Sequence, residues 1–160
     1  MHVVSEGPAL PRALRAAGLP VRHVTPTKAA RDIGFAVGAR LVILDTPPGA
    51  RPLLEAHVFR EGPALHAVVD ELGAAVGPLV AADHTPCPLC LAQPPARLLD
   101  DEAALRWMAH TVALEVRSLE HHGRSALAGA QLRWRSAAEP GFELRRGRRR
   151  GGCRTPGCVG

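Results

Sequence analysis

The four cysteines of this 160-residue chain fall as two close-set pairs, Cys87-Pro88-Leu89-Cys90 in the middle and Cys153-x4-Cys158 at the end. Two short loops that each deliver two thiolates are what one tetrahedral zinc ion requires, so Cys87, Cys90, Cys153 and Cys158 are read as a structural zinc site. About sixty residues separate the pairs, far more than a zinc finger holds, so the metal is expected to tie a C-terminal tail onto a domain that already has a core.

Other chemistry finds less support. A thioredoxin-type redox site at Cys87 and Cys90 needs its first cysteine at a helix N-terminus, and Pro94-Pro95 leaves little room for that helix. His84, three residues before Cys87, is the alternative ligand should one cysteine not bind. His121 and His122 sit at an expected helix end, where positive charge is favoured without any function. His23, His57, His66 and His110 are scattered, and Asp45 before Pro47-Pro48 reads as a turn residue. Gly34-Phe35-Ala36-Val37-Gly38 lacks the lysine and hydroxyl of a Walker loop.

Elements able to position the thiols are legible along the chain. Strands are expected at His2 to Ser5, Val21 to Val24 and Leu41 to Leu44, alternating with helices at Ala9 to Ala17 and Thr27 to Phe35, the latter opened by its threonine cap. Such a β-α-β-α-β order implies a parallel sheet with right-handed crossovers. After a weak helix at Pro52 to Phe59, strands at Leu65 to Val69 and Ala74 to Val80 flank Glu71-Leu72-Gly73, a connection too short for a crossover, so the sheet turns antiparallel there. Leu105, Met108, Ala109, Val112, Val116 and Leu119 recur at three-and-four spacing in a long helix capped by Asp100 or Asp101 and closed by Gly123. Strands at Ala130 to Arg135 and Phe142 to Arg146 lead to Cys153. Trp107 and Trp134 are expected in the core or at an interface. The fold class is therefore α/β, a partly parallel Rossmann-like sheet with flanking helices, antiparallel C-terminal strands and one zinc-stapled tail. One domain is expected over 1–160, with 145–160 as a basic, cysteine-containing tail.

Charge is concentrated in that tail. The formal net charge is +5, yet residues 143–154 hold six arginines against Glu143, leaving fourteen basic and fourteen acidic residues elsewhere. Arg148, Arg149 and Arg150 form the densest part and are read as a contact surface for an acidic partner. Without interleaved aromatics the run makes a poor single-strand stacking platform, which argues against nucleic acid. Residues 1–18 carry Glu6, Pro8, Pro11, Arg12 and Arg15 where a signal peptide needs an apolar core, and no apolar run reaches membrane-span length. No membrane contact and a reducing cytoplasmic location are expected.

Val76-Gly77-Pro78-Leu79-Val80 followed by Thr85-Pro86-Cys87-Pro88-Leu89-Cys90-Leu91 resembles the ThiF-like fold of ubiquitin-activating-type enzymes. The likeness is strongest to the branch attached to thiazole/oxazole-modified peptide (TOMM) cyclodehydratases of bacteriocin-type biosynthesis, where a helix, strands and a second cysteine pair complete a zinc site. It covers 65–160 by motif order and the first half by its β-α-β pattern. Adenylating members carry a Gly-x-Gly-x-x-Gly loop after the first strand; here stands Ser5-Glu6-Gly7-Pro8-Ala9-Leu10-Pro11, with one glycine, two residues lacking an N–H and a carboxylate. The resemblance thus implies a non-catalytic partner or scaffold subunit that binds no ATP and docks a YcaO-type cyclodehydratase or its precursor peptide. A homodimer is compatible with this reading. In full members a winged-helix-like peptide clamp comes first, and the start of this chain does not read as one. The alternatives are an ATP-dependent ThiF-family adenylyltransferase and a basic nucleic-acid-binding zinc protein.

Overall fold

A computed structural model describes residues 1–94, 97–99, 101–135 and 141–160, with the backbone alone at Ile33. Its elements are β1 (His2–Val4), α1 (Ala9–Ala16), β2 (Arg22–Val24), α2 (Pro26–Arg31), a 3-10 turn (Ile33–Ala36), β3 (Val42–Leu44), α3 (Pro52–Glu61), β4 (Ala64–Asp70), β5 (Gly73–Val80), α4 (Glu102–His122), β6 (Ala130–Arg135) and β7 (Gly141–Arg146). The strands form one sheet in the order β2-β1-β3-β4-β5-β6-β7. β1 through β4 run parallel, and β5, β6 and β7 are antiparallel to their neighbours, as the element order implies. The change of direction occurs at the two-residue turn Glu71-Leu72, where Asp70 Oδ1 accepts the Leu72 N–H at 2.9 Å and Gly73 takes φ 123°. A turn that short can only fold back.

α4 begins at Asp101, whose Oδ1 accepts the Ala103 and Ala104 amides at 2.9 and 3.0 Å, and it ends at Gly123 in the left-handed conformation. Asp100, the other expected cap, lies outside the described residues. The expected helix from Thr27 to Phe35 is corrected. α2 starts earlier, behind Thr25, whose Oγ1 accepts the Lys28 N–H at 3.4 Å, because Pro26 fits the first helical turn. It stops at Arg31, since Asp32 caps a separate 3-10 turn by accepting the Gly34 N–H at 3.2 Å.

Alternation along the strands sends apolar side chains to both faces of the sheet. One face buries Leu10, Leu14, Ile43, Leu65, Met108 and Val112 under α1 and α4. The other buries Val4, Leu44, Val58, Phe59 and Val80 together with Cys87, Cys90 and Cys158. Burial on both faces is what a sheet with helical crossovers demands. Four buried polar side chains, Glu55, His66, Asp70 and Arg133, are not legible as such in the sequence. Glu55 accepts the Gly49 and Arg51 amides, each at 2.7 Å, and so sets the loop after β3. His66 lies against the Thr46 carbonyl through Nδ1 at 2.8 Å, which assigns the ring proton to that nitrogen. Burial lowers its pKa despite the nearby Glu55 carboxylate. Arg133 makes a two-pronged ion pair with Asp70 at 2.6 and 2.9 Å, with side chains 6% and 2% exposed. No helix among the described residues is long and apolar enough to cross a membrane.

Candidate metal centre

β5 delivers the first cysteine pair. Beyond Val80 the chain makes a tight turn in which Thr85 Oγ1 accepts the Ala81 N–H at 2.9 Å. A second turn follows, with the Cys90 N–H donating to the Cys87 carbonyl at 3.0 Å. No helix starts at Cys87, so the arrangement lacks the dipole a redox-active Cys-x-x-Cys uses. The second pair arrives from β7. Gly147 N–H donates to Gly129 O at 2.8 Å, and the tail then crosses back to lie beside residues 83–87. Asp83 N–H donates to Gly157 O at 2.7 Å, and Val159 N–H donates to Thr85 O at 3.2 Å. Gly157 sits at φ +73°, and a Cβ there would lie 2.8 Å from Ala82 Cβ, so this close approach requires glycine.

The result brings all four sulfurs within 4.8 Å of one another. Cys87 Sγ to Cys153 Sγ and Cys90 Sγ to Cys158 Sγ are each 3.8 Å. That is far beyond a disulfide bond, and it matches the roughly 3.8 Å edge of a tetrahedron whose sulfurs sit ~2.3 Å from a central zinc. Two backbone amides point at sulfur, Cys87 N–H to Cys158 Sγ at 3.2 Å and Arg150 N–H to Cys90 Sγ at 3.3 Å. Donors aimed at sulfur favour thiolates and orient them, as the surroundings of a metal site must. Cys153, at the exposed side, has its pKa brought down to about 6, chiefly by hydrogen bonding from Thr155. Burial pushes Cys158 up to about 12 and raises Cys90. A divalent cation offsets that burial cost, so the donor set fits zinc. His84 is exposed and stands outside the four-sulfur group.

Arg148, Arg149 and Arg150 are all exposed, on the approach to Cys153. Arg149 donates to the Cys153 carbonyl at 2.8 Å, and Arg150 donates to the Ala92 carbonyl at 3.4 Å. Four thiolates on one divalent ion leave about two negative charges, which these guanidinium groups would complement.

A second crevice lies past the carboxyl ends of β1 and β3, where the strand order reverses and open α/β sheets bind ligands. The cleft here, of about 230 Å³, is lined by Glu6, Gly7, Asp45, Leu98, Leu99 and Leu105 among others. Glu6 is ion-paired with Arg51. The Ser5 hydroxyl donates to the Gly7 carbonyl at 2.7 Å, and Pro8 caps α1 without a side-chain bond. Pro11 contributes no N–H to the first turn. Pro8 and Pro11 thus withhold two N–H groups, the Ser5 hydroxyl is engaged, and the Glu6 and Asp45 carboxylates line the walls.

No family model and no curated protein matches the sequence. Solved structures do resemble it. A heterocyclase in complex with substrate and cofactor superposes with a TM-score of 0.66 at 15% identity, over 98% of this chain and 25% of that one. The heterocyclase TruD gives 0.61 at 18% identity, over 98% and 27%. E. coli MccB with AMPCPP and MccA gives 0.66 at 14% identity, over 86% and 46%. The chain therefore spans about a quarter of the heterocyclases and under half of MccB. At these identities the likeness establishes a related fold.

Proposed function

We propose that this chain is a non-catalytic, zinc-stapled ThiF-like partner subunit in ribosomal peptide modification of the thiazole/oxazole, bacteriocin-type kind. In this reading it docks a YcaO-type cyclodehydratase or its precursor peptide. The observation that carries the proposal is the pairing of a fold that follows heterocyclases over nearly its whole length with a switch-point crevice lined by the Glu6 and Asp45 carboxylates, where Pro8 and Pro11 open the helix in place of a glycine-rich loop. In this reading the fold serves docking and nucleotide binding is not used. Zinc, held by Cys87, Cys90, Cys153 and Cys158, supplies a fixed anchor for the tail. The anchored Arg148 to Arg150 lose less freedom on meeting an acidic partner than a loose tail would.

Two outcomes are expected. Isothermal titration with Mg-ATP at ordinary millimolar concentrations should give no saturable heat; a clear isotherm abolished by changing Gly7 would revive the adenylyltransferase reading. Replacing Arg148, Arg149 and Arg150 together by serine should weaken capture of a co-expressed YcaO-type enzyme or precursor peptide about tenfold, as expected for three exposed charges at a contact rim. Zinc content and fold should persist, because the bond to Cys90 Sγ comes from the Arg150 backbone and the two guanidinium bonds are exposed. Unchanged capture removes the tail from the contact. Strong, salt-sensitive binding to arbitrary DNA would instead favour the nucleic-acid reading.

A further inference from the structure

The outer edge of the sheet is a self-complementary strand. β7 pairs with β6 on one side, and among the described residues no strand covers its other side. Because the Gly147 N–H is directed to Gly129 on the β6 side, the alternation of amide direction along a strand sends the backbone groups of Phe142, Leu144 and Arg146 outward. An unpaired row of this kind is a template for another strand. Phe142 is 68% exposed and Leu144 52%, and Phe142 continues an apolar strip formed with Trp107, 5.9 Å away, and Trp134.

We propose that two copies of this chain pair antiparallel along β7, with Leu144 of one opposite Leu144 of the other, joining two seven-stranded sheets into one. Read outward from Leu144, the segment Gly141-Phe142-Glu143-Leu144-Arg145-Arg146-Gly147 matches itself. Glu143 of each copy faces Arg145 of the other, Phe142 faces Arg146, and Gly141 faces Gly147. The register uses the groups that point outward, so Leu144 with Leu144 and Phe142 with Arg146 become hydrogen-bonded pairs, about six bonds in all. Opposite charges across the strands and a guanidinium over an aromatic ring each add to the pairing. Adjacent registers that keep every side chain on its face fail. Centring on Glu143 sets carboxylate against carboxylate, and centring on Arg145 sets guanidinium against guanidinium, which is destabilising. Glu143 already lies between Arg145 and Arg135, which hold its carboxyl below the usual range, so it meets the second copy ionised.

Sedimentation of the full chain from about 1 to 500 µM tests this. A short strand pair falls below the standard interface size, so a monomer–dimer equilibrium with Kd on the order of 10–100 µM is expected. L144P removes an N–H that points away from β6, so it should leave the fold intact by circular dichroism and weaken the dimer more than tenfold. E143R alone and R145E alone should each be monomeric, since each sets like charges face to face. An equimolar mixture of these two variants should dimerise, because both cross-strand contacts then join opposite charges. A wild-type monomer throughout the range overturns the proposal. So does a dimer indifferent to L144P, or a mixture no more associated than its components.

Discussion

Replacing Cys87 by serine should release the C-terminal tail and loosen one face of the sheet while the other face stays folded. Cys87, Cys90 and Cys158 pack in the same cluster as Val58, Phe59 and Val80, so loss of the ion removes an anchor from that side. Leu10, Leu14, Met108 and Val112 form the opposite cluster with no cysteine in it. Apparent zinc-binding energies of about 10–16 kcal/mol in isolated zinc fingers set an upper bound, because there the whole fold depends on the metal. Here a loss of about 3–5 kcal/mol is expected, which lowers the thermal midpoint by on the order of 10 °C. Hydrogen exchange should show protection lost at residues 81–92 and 147–160 and kept in α4 and β3. Acidification acts in the same direction, since protons compete with the metal for thiolates, so zinc affinity should fall as the pH is lowered. Uniform loss of protection across both faces would show that the core depends on the metal throughout.

Asp70→Ala should cost about 3–5 kcal/mol, because it leaves the Arg133 guanidinium buried without a counter-charge. It also removes the acceptor of the Leu72 N–H in the turn that reverses the sheet. Arg133→Met should cost a similar amount by stranding the carboxylate. Combining Arg133→Met with Asp70→Asn should recover much of the loss, since no uncompensated charge then remains and the turn can keep its acceptor. Denaturant unfolding of the parent, Asp70→Asn, Arg133→Met and the double variant gives the coupling energy. Single variants within about 0.5 kcal/mol of the parent would mean that water reaches the pair and that its burial carries no penalty.

Much of this architecture is legible because local signals agree with the fold. Leu41 to Leu44 is a short apolar run ending at a turn, and α4 carries an unbroken three-and-four pattern between an aspartate cap and a glycine stop. The misplaced start of α2 shows the opposite case, where Thr25 and Thr27 both suit a cap and Pro26 decides between them. Spacing places the cysteines together, yet nothing in the side chains announces how the tail is held. Its bonds from Asp83 to Gly157 and from Val159 to Thr85 are made by backbone, which has no sequence signature. Asp70 and Arg133 are equally silent, since each reads as an ordinary charged residue until the sheet brings β4 and β6 to opposite sides of β5. His66 reads as scattered because a single histidine on a doubly buried strand breaks no pattern.

X-ray absorption at the zinc edge of purified protein, combined with metal analysis, tests the stapled-tail account most directly. About one zinc per chain is expected, with four sulfur neighbours near 2.3 Å and no nitrogen or oxygen in the first coordination sphere. Protein that folds and retains a protected tail without any metal, or an ion bound by fewer than four sulfurs, would contradict it.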